Sequence, residues 1–169
     1  NNLVMVIERA PLGDLQSLRE ELVGKRWELK VKIALDVARA LQSIHLADGL
    51  KLIHRDIRSA NVFVFSLSEE TIFQMDSIHA KLGDFGCVAV ASPSYSQRVG
   101  NYQYTAPEAL RGSFSVPYGS QIDIYSFGIL LWELLSGLVP FADLRQESAS
   151  EGFCEENCGR IQTSLGRSS

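Results

Sequence analysis

The chain has 169 residues, of which 46% are apolar and 21% charged, with a formal net charge of −4. That is the size and composition of one ordinary globular domain able to bury a core. The acidic balance supplies no basic face of the kind that nucleic acid requires, so no nucleic-acid partner is expected. The most apolar stretch, "FGILLWELLSGLVPF" (127–141), is too short and too broken by Glu133, Ser136 and two glycines to span a bilayer.

In chain order, "LVMVIE" (3–8) reads as a short strand that ends where Pro11 and Gly13 force a turn. The first residues lack the basic start and long apolar run of a leader peptide, so none is expected. Asp14 reads as the N-cap of a short helix through Glu21. The clearest helix is "KRWELKVKIALDVARALQSIHLAD" (25–48). In it Leu29, Ile33, Val37, Leu41 and Ile44 recur at helical spacing, flanked by Ala34 and Ala38.

"KLIHRDI" reads as a brief strand running into a loop. "NVFVFSL" and "HAKLGDF" are two further β segments that should pair across the long polar connection between them. Residues 87–105, rich in Ser and Gly, read as a mobile loop. "QIDIYSFGILLWELLSG" (121–137) is apolar nearly all round and predicts a helix buried on most sides, ended by Gly137 and Pro140. Residues 142–169 are polar and show no sustained period, so a disordered tail is expected. The three cysteines, Cys87, Cys154 and Cys158, have no paired-ligand spacing and read as free thiols, with the cytoplasm as the expected compartment.

Three groups stand in an order that suggests phosphoryl transfer. Asp56 and Asn61 lie five residues apart in "HRDIRSANV", and Asp84 follows a strand in "GDFG". That reaction needs a base or orienting group for the attacking hydroxyl and oxygen ligands that hold Mg²⁺ against phosphates. A carboxylate and an amide on one loop can fill both roles, Asp84 adds a charged ligand, and Arg58 can stabilise the transferring group.

"HRDIRSAN" resembles the catalytic loop of eukaryotic protein kinases, and "DFG" (84–86) resembles their metal-binding motif. "APE" (106–108) and "DIYSFG" (123–128) are similar to the next two landmarks of that family, in the right order. The resemblance runs from residue 3 to about 141. It implies an α+β fold, the kinase-like large lobe, mainly α-helical with short β-hairpins. It also implies ATP and Mg²⁺ as cofactors and a protein as substrate.

Residue by residue, the resemblance makes Asp56 the catalytic base, with Arg58 beside it, and makes Asn61 and Asp84 the Mg²⁺ ligands. His54 and Phe85 belong to an apolar spine behind the site, and Gly86 completes the metal motif. Arg55 pairs with a phosphorylated residue among Ser92, Ser94, Tyr95 and Ser96. Asp123 holds the catalytic-loop backbone, and Glu108 expects an arginine partner. Glu8 and Ala10 correspond to the hinge that meets adenine, Ile7 to the gatekeeper and Phe63 to the floor beneath the base.

"ERAPLGDL" and the extended connection before "DFG" resemble the tyrosine-kinase-like group, and within it the Roco or leucine-rich-repeat kinases. That implies Ser/Thr as acceptor ahead of Tyr. Two residues depart from the Ser/Thr pattern: Arg58 stands where Lys is usual, and Asn101 where Thr is usual. No Gly-rich loop, phosphate-pairing Lys or partner Glu of the small lobe is found in the chain, which is expected to be a partial kinase domain with little activity alone. The alternative is a truncated, non-catalytic kinase-like module that binds a protein through an exposed helix surface.

Overall fold

The computed structural model describes residues 6–74, 77–91, 100–110 and 119–142. Among these residues four α-helices, α1 (Arg19–Val23), α2 (Trp27–His45), α3 (Pro107–Leu110) and α4 (Gln121–Ser136), accompany two small two-stranded sheets. The first pairs β1 (Leu52–Ile53) with the distant β4 (Ala89–Val90), and the second, a hairpin, pairs β2 (Val62–Val64) with β3 (Ala80–Leu82), both antiparallel. The mixed, mainly helical architecture is the α+β arrangement that the sequence implies.

The apolar stripe of α2 carries the core. Leu29, Ile33, Val37 and Leu41 are buried and meet Val62, Val64, Ala80 and Leu82 of the β2–β3 hairpin on one side and Leu130 and Leu134 of α4 on the other. A smaller cluster of Ile53, Ala106, Ala109 and Ile122 lies under α3. Burial of each such side chain stabilises by about 1.5–3 kcal/mol, which is why the 3.6-residue pattern of α2 is so legible.

Polar groups fix the β2–β3 hairpin on α2. Lys32 and Asp36, one turn apart, form a buried ion pair at 2.8 Å. Asp36 Oδ2 also accepts the backbone N–H groups of His79 (2.7 Å) and Ala80 (3.2 Å), while Lys32 Nζ donates to the Ser77 carbonyl. The long connection is therefore clamped to the helix at its return. Nothing in the periodicity announces this, because Lys and Asp on a helix normally mark its wet side.

The structure corrects several sequence expectations. Residues 6–8 form no strand, since no neighbouring strand among the described residues offers backbone partners, and residues 1–5 lie outside them. Asp14 does not cap α1. Its carboxylate accepts the Ser17 N–H and hydroxyl, both at 2.9 Å, closing a turn, and the helix starts later with Leu18 at its N-cap. Segment 12–15 instead runs beside β2, with Leu12 N–H bonded to Val64 O, Val64 N–H to Gly13 O and Leu15 N–H to Val62 O.

Of the loop expected over 87–105, residues 92–99 lie outside the described residues. At its ends the chain forms β4 and a buried turn at Gln103 and Tyr104, where Gln103 donates to the Pro140 carbonyl and Tyr104 to Glu133. Helix α4 is buried on the side that meets α2, yet Ile124, Trp132 and Leu135 are exposed among the described residues. It ends where Gly137 takes φ +74°; a Cβ there would also meet Val23 at 2.9 Å. The tail expected from 142 onward falls, from 143, outside the described residues.

Candidate active site

The loop after β1 is hung from α4. Asp123, fully buried in the first turn of α4, accepts the backbone N–H of His54 through Oδ2 and that of Arg55 through Oδ1, each at 2.8 Å. Its Oδ2 also meets His45 Nε2 at 2.8 Å, tying in the end of α2. Three partners satisfy a carboxylate that would otherwise be very costly to bury.

Beyond this anchor the chain turns through Asp56, Arg58 and a 3₁₀ turn, Ser59–Asn61, into β2. Asn61 Nδ2 donates to the Asp56 carbonyl oxygen at 2.8 Å and to Asp56 Oδ2 at 2.7 Å. Both amide protons thus face Asp56, and Asn61 Oδ1 is the atom left to ligate a cation. Arg58 Nε lies 3.5 Å from Asp56 Oδ2.

Asp84 follows the far strand of the β2–β3 hairpin. Gly83 N–H bonds to Asn61 O at 2.9 Å, which fixes the approach of the two loops. Asp84 has φ +60°, accepts Gly86 N–H at 3.3 Å and points an exposed carboxylate outward. His54, wholly buried, bridges the two loops. The Asp56 N–H donates to its Nδ1 at 3.4 Å, so the ring proton sits on Nε2 and donates to Gly83 O at 3.2 Å. Burial holds the His54 pKa below its usual value against the opposing pull of Asp123.

Of the expected spine, the described residues give one contact: Phe85 tilts against the His54 ring at 5.3 Å while remaining more than half exposed. Arg55, at φ +68°, donates from Nε to the Cys87 carbonyl. Its expected phosphorylated partners, Ser92, Ser94, Tyr95 and Ser96, lie outside the described residues. Burial, followed by Asp56, pushes the Cys87 thiol pKa up, so the side chain stays a thiol. Glu108, half-buried on α3, has no ion-pair partner among the described residues.

At the hinge segment Ile7 is exposed, Ala10 is half-buried, and Glu8 forms an ion pair with Lys81 of β3. Phe63 lies opposite Lys81 in register, and its ring presses on Gly83, where a Cβ would come within 2.6 Å of Cε2. Glu8 thus meets the β2–β3 hairpin at Lys81, and the Phe63 ring meets it at Gly83.

Among the described residues no three His, Cys, Asp or Glu side chains gather into a metal cage. One amide oxygen and one carboxylate instead fit Mg²⁺ carried in on phosphate, since that ion keeps few protein ligands.

The protein kinase domain profile matches residues 1–166. The chain belongs to the protein kinase family. This kinase chain is 37% identical over 137 residues to "Probable serine/threonine-protein kinase roco11" of Dictyostelium discoideum, covering 81% of the chain and 9% of that protein. It is 36% identical over 140 residues to "Probable serine/threonine-protein kinase roco5" of the same organism, covering 81% and 5%. "Serine/threonine-protein kinase 12" of Arabidopsis thaliana is 32% identical over 162 residues, covering 90% and 31%. The chain therefore spans less than a third of the length of each of these relatives. No helix among the described residues of the kinase chain is long and apolar enough to cross a membrane.

Sequence reasoning missed one group of residues in this kinase chain. Glu133, buried within apolar α4, accepts Arg19 Nη2 at 2.6 Å, Arg19 Nε at 3.2 Å, Ser59 Oγ at 3.0 Å and Tyr104 Oη at 2.6 Å. The signal was available: an acidic residue inside an apolar helix requires buried partners, as with Asp123. Burial, then the Glu133 hydrogen bond, pushes the Tyr104 pKa far up, so it remains a phenol that donates.

Proposed function

We propose that this chain is the hinge and catalytic part of an ATP-dependent protein kinase that transfers the γ-phosphate to a protein hydroxyl, Ser or Thr ahead of Tyr. One observation supports the reading: Asn61 bonds through both amide protons to Asp56, while the Gly83–Asn61 backbone bond and the His54 bridge hold Gly83, the residue before Asp84, against the same loop. The names of the relatives support Ser/Thr as the acceptor class.

Asp56 accepts the proton of the attacking hydroxyl, and Arg58 offers its guanidinium to the transferring group. Asn61 Oδ1 and the Asp84 carboxylate would hold Mg²⁺, which would supply charge neutralisation along the phosphates. Glu8 and Ala10 offer hinge backbone to adenine and Ile7 serves as gatekeeper, over the Phe63 ring. Arg55 is the residue that would pair with a phosphorylated side chain, and Gly86 completes the metal motif. The cytoplasm is the proposed site of action.

The test is phosphorylation of a mixed peptide library by the full-length protein with Mg-ATP. Asp56→Ala should lower the rate by about 10²–10⁴-fold, and the product should carry phosphoserine or phosphothreonine. Transfer that persists in Asp56→Ala overturns the reading. The exposed Ile124, Trp132 and Leu135 of α4 favour a second reading, a non-catalytic binding module, which gains if the full-length protein transfers nothing.

A further inference from the structure

Below the Asp56–Asn61–Asp84 set lies a second polar cluster with no part in the chemistry described so far. Its members come from four places: Arg19 from α1, Ser59 from the catalytic turn, Tyr104 from the turn before α3 and Glu133 from α4. Each hydroxyl has one proton to give. With Ser59 donating to Glu133 Oε1 and Tyr104 to Oε2, the 3.2 Å Ser59–Tyr104 contact carries none, and the carboxylate is the common acceptor.

Ser59 is placed where the loop needs support. It is three residues after Asp56 and two before Asn61, and it is almost fully buried. The start of the loop is held by Asp123 at His54 and Arg55, and the end by the Gly83–Asn61 bond. Between them, the Ser59–Glu133 bond is the side-chain tie from the turn to a helix 74 residues away. A buried serine that only satisfied itself would bond a nearby carbonyl instead.

The segment before α3 is bound into the same place. The Tyr104 carbonyl accepts Ser126 Oγ of α4 at 2.7 Å. At the segment's start Gly100 has φ +95°, and a Cβ there would meet Arg55 O at 2.5 Å and Asp56 Oδ1 at 3.4 Å. Segment 100–106 thus touches the loop directly at Gly100 and at the Ser59–Tyr104 contact, and is joined to it through Glu133 at Tyr104.

We propose that Ser59 is a positioning residue: through Glu133 its hydroxyl fixes the turn between Asp56 and Asn61 and couples it to segment 100–106. This rests on the kinase reading above and extends it to a residue that touches neither substrate nor metal. A displacement of the order of an ångström in Asp56 or Asn61 is enough to slow transfer without loosening nucleotide.

The experiment uses the full-length protein with Ser59→Ala, Ser59→Thr and Tyr104→Phe. It reads peptide phosphorylation kinetics together with amide hydrogen exchange across 54–61. Ser59→Ala should lower kcat by about 10–10²-fold with the KM for ATP within about twofold. Exchange should rise at 57–61 and stay unchanged at 54 and 55, which Asp123 holds. Ser59→Thr, whose methyl can enter the small cavity lined by Leu15, Leu22 and Leu134, should restore both. Tyr104→Phe, which leaves the Ser59 bond in place, should have a smaller effect on 57–61.

Unchanged exchange at 57–61 in Ser59→Ala overturns the inference, as does a uniform rise across the whole chain, the mark of general destabilisation. A wild-type protein that transfers no phosphate sinks the kinase reading alone, because the exchange pattern still decides whether Ser59 positions the turn.

Discussion

Asp123 Oδ1 accepts the backbone N–H of Arg55 at 2.8 Å, and Arg55 occupies a left-handed conformation at φ +68°. Such a conformation costs a non-glycine residue about 1–3 kcal/mol and persists only where its surroundings over-determine it. Asp123 does so, with a second bond to His54 N–H. Asp123→Ala should therefore destabilise by about 3 kcal/mol, the scale of losing hydrogen bonds to a buried charge. A denaturant midpoint that falls with unchanged slope checks it; a shift below about 1 kcal/mol contradicts the anchor.

The Lys32–Asp36 pair supports a prediction with two arms. Lys32→Met leaves Asp36 buried without its cation and should cost about 3–5 kcal/mol. Replacing both residues by apolar ones often recovers such a loss. Here it should not, because the N–H groups of His79 and Ala80 would lose their acceptor. Urea unfolding of the single and double variants separates the cases; recovery in Lys32→Met/Asp36→Leu would show that the two amides find other partners.

Burial lowers the His54 pKa from its ordinary 6.5. The unfolded chain then takes up a proton near that pH while the folded chain does not, so the unfolded state binds more protons. His54 should contribute its full stability above about pH 6.5, lose it as pH falls toward the lower folded value, and change no further below it. Unfolding curves of wild type and His54→Phe between pH 5 and 8 test this. The wild type should lose stability more steeply on acidification, and parallel curves would contradict it.

Phe63 rests on Gly83 so closely that a Cβ would stand 2.6 Å from its ring. Gly83→Ala must push the ring toward the proposed adenine site, an overpacking on the order of 1–3 kcal/mol. In the full-length protein, ATP affinity should fall about 10-fold. Nucleotide titration with Gly83→Ala reads this directly, and unchanged affinity would mean that the ring is not the floor.

The chain lacks a Gly-rich loop and a phosphate-pairing Lys, both of which a kinase uses to hold the nucleotide. The 169 residues by themselves should show negligible ATP turnover. Robust turnover that disappears on Asp56→Ala would refute that expectation.

By itself the sequence determined the elements whose information is local. The stripe Leu29, Ile33, Val37 and Leu41 declares α2 because one buried face must repeat with the helical turn. The paired β2 and β3 follow from two β-rich runs with a polar return. The order of "HRDIRSAN", "DFG", "APE" and "DIYSFG" pointed to the protein kinase family that the domain profile shows. Only the tertiary structure decided the rest. Glu133 meets Ser59 across 74 residues, Asp36 accepts the amides of His79 and Ala80, and Asp14 closes a turn rather than a helix. The physical reason is common to all three. A polar side chain's worth depends on whether the folded chain brings it a partner away from water, and no one-dimensional pattern encodes that meeting.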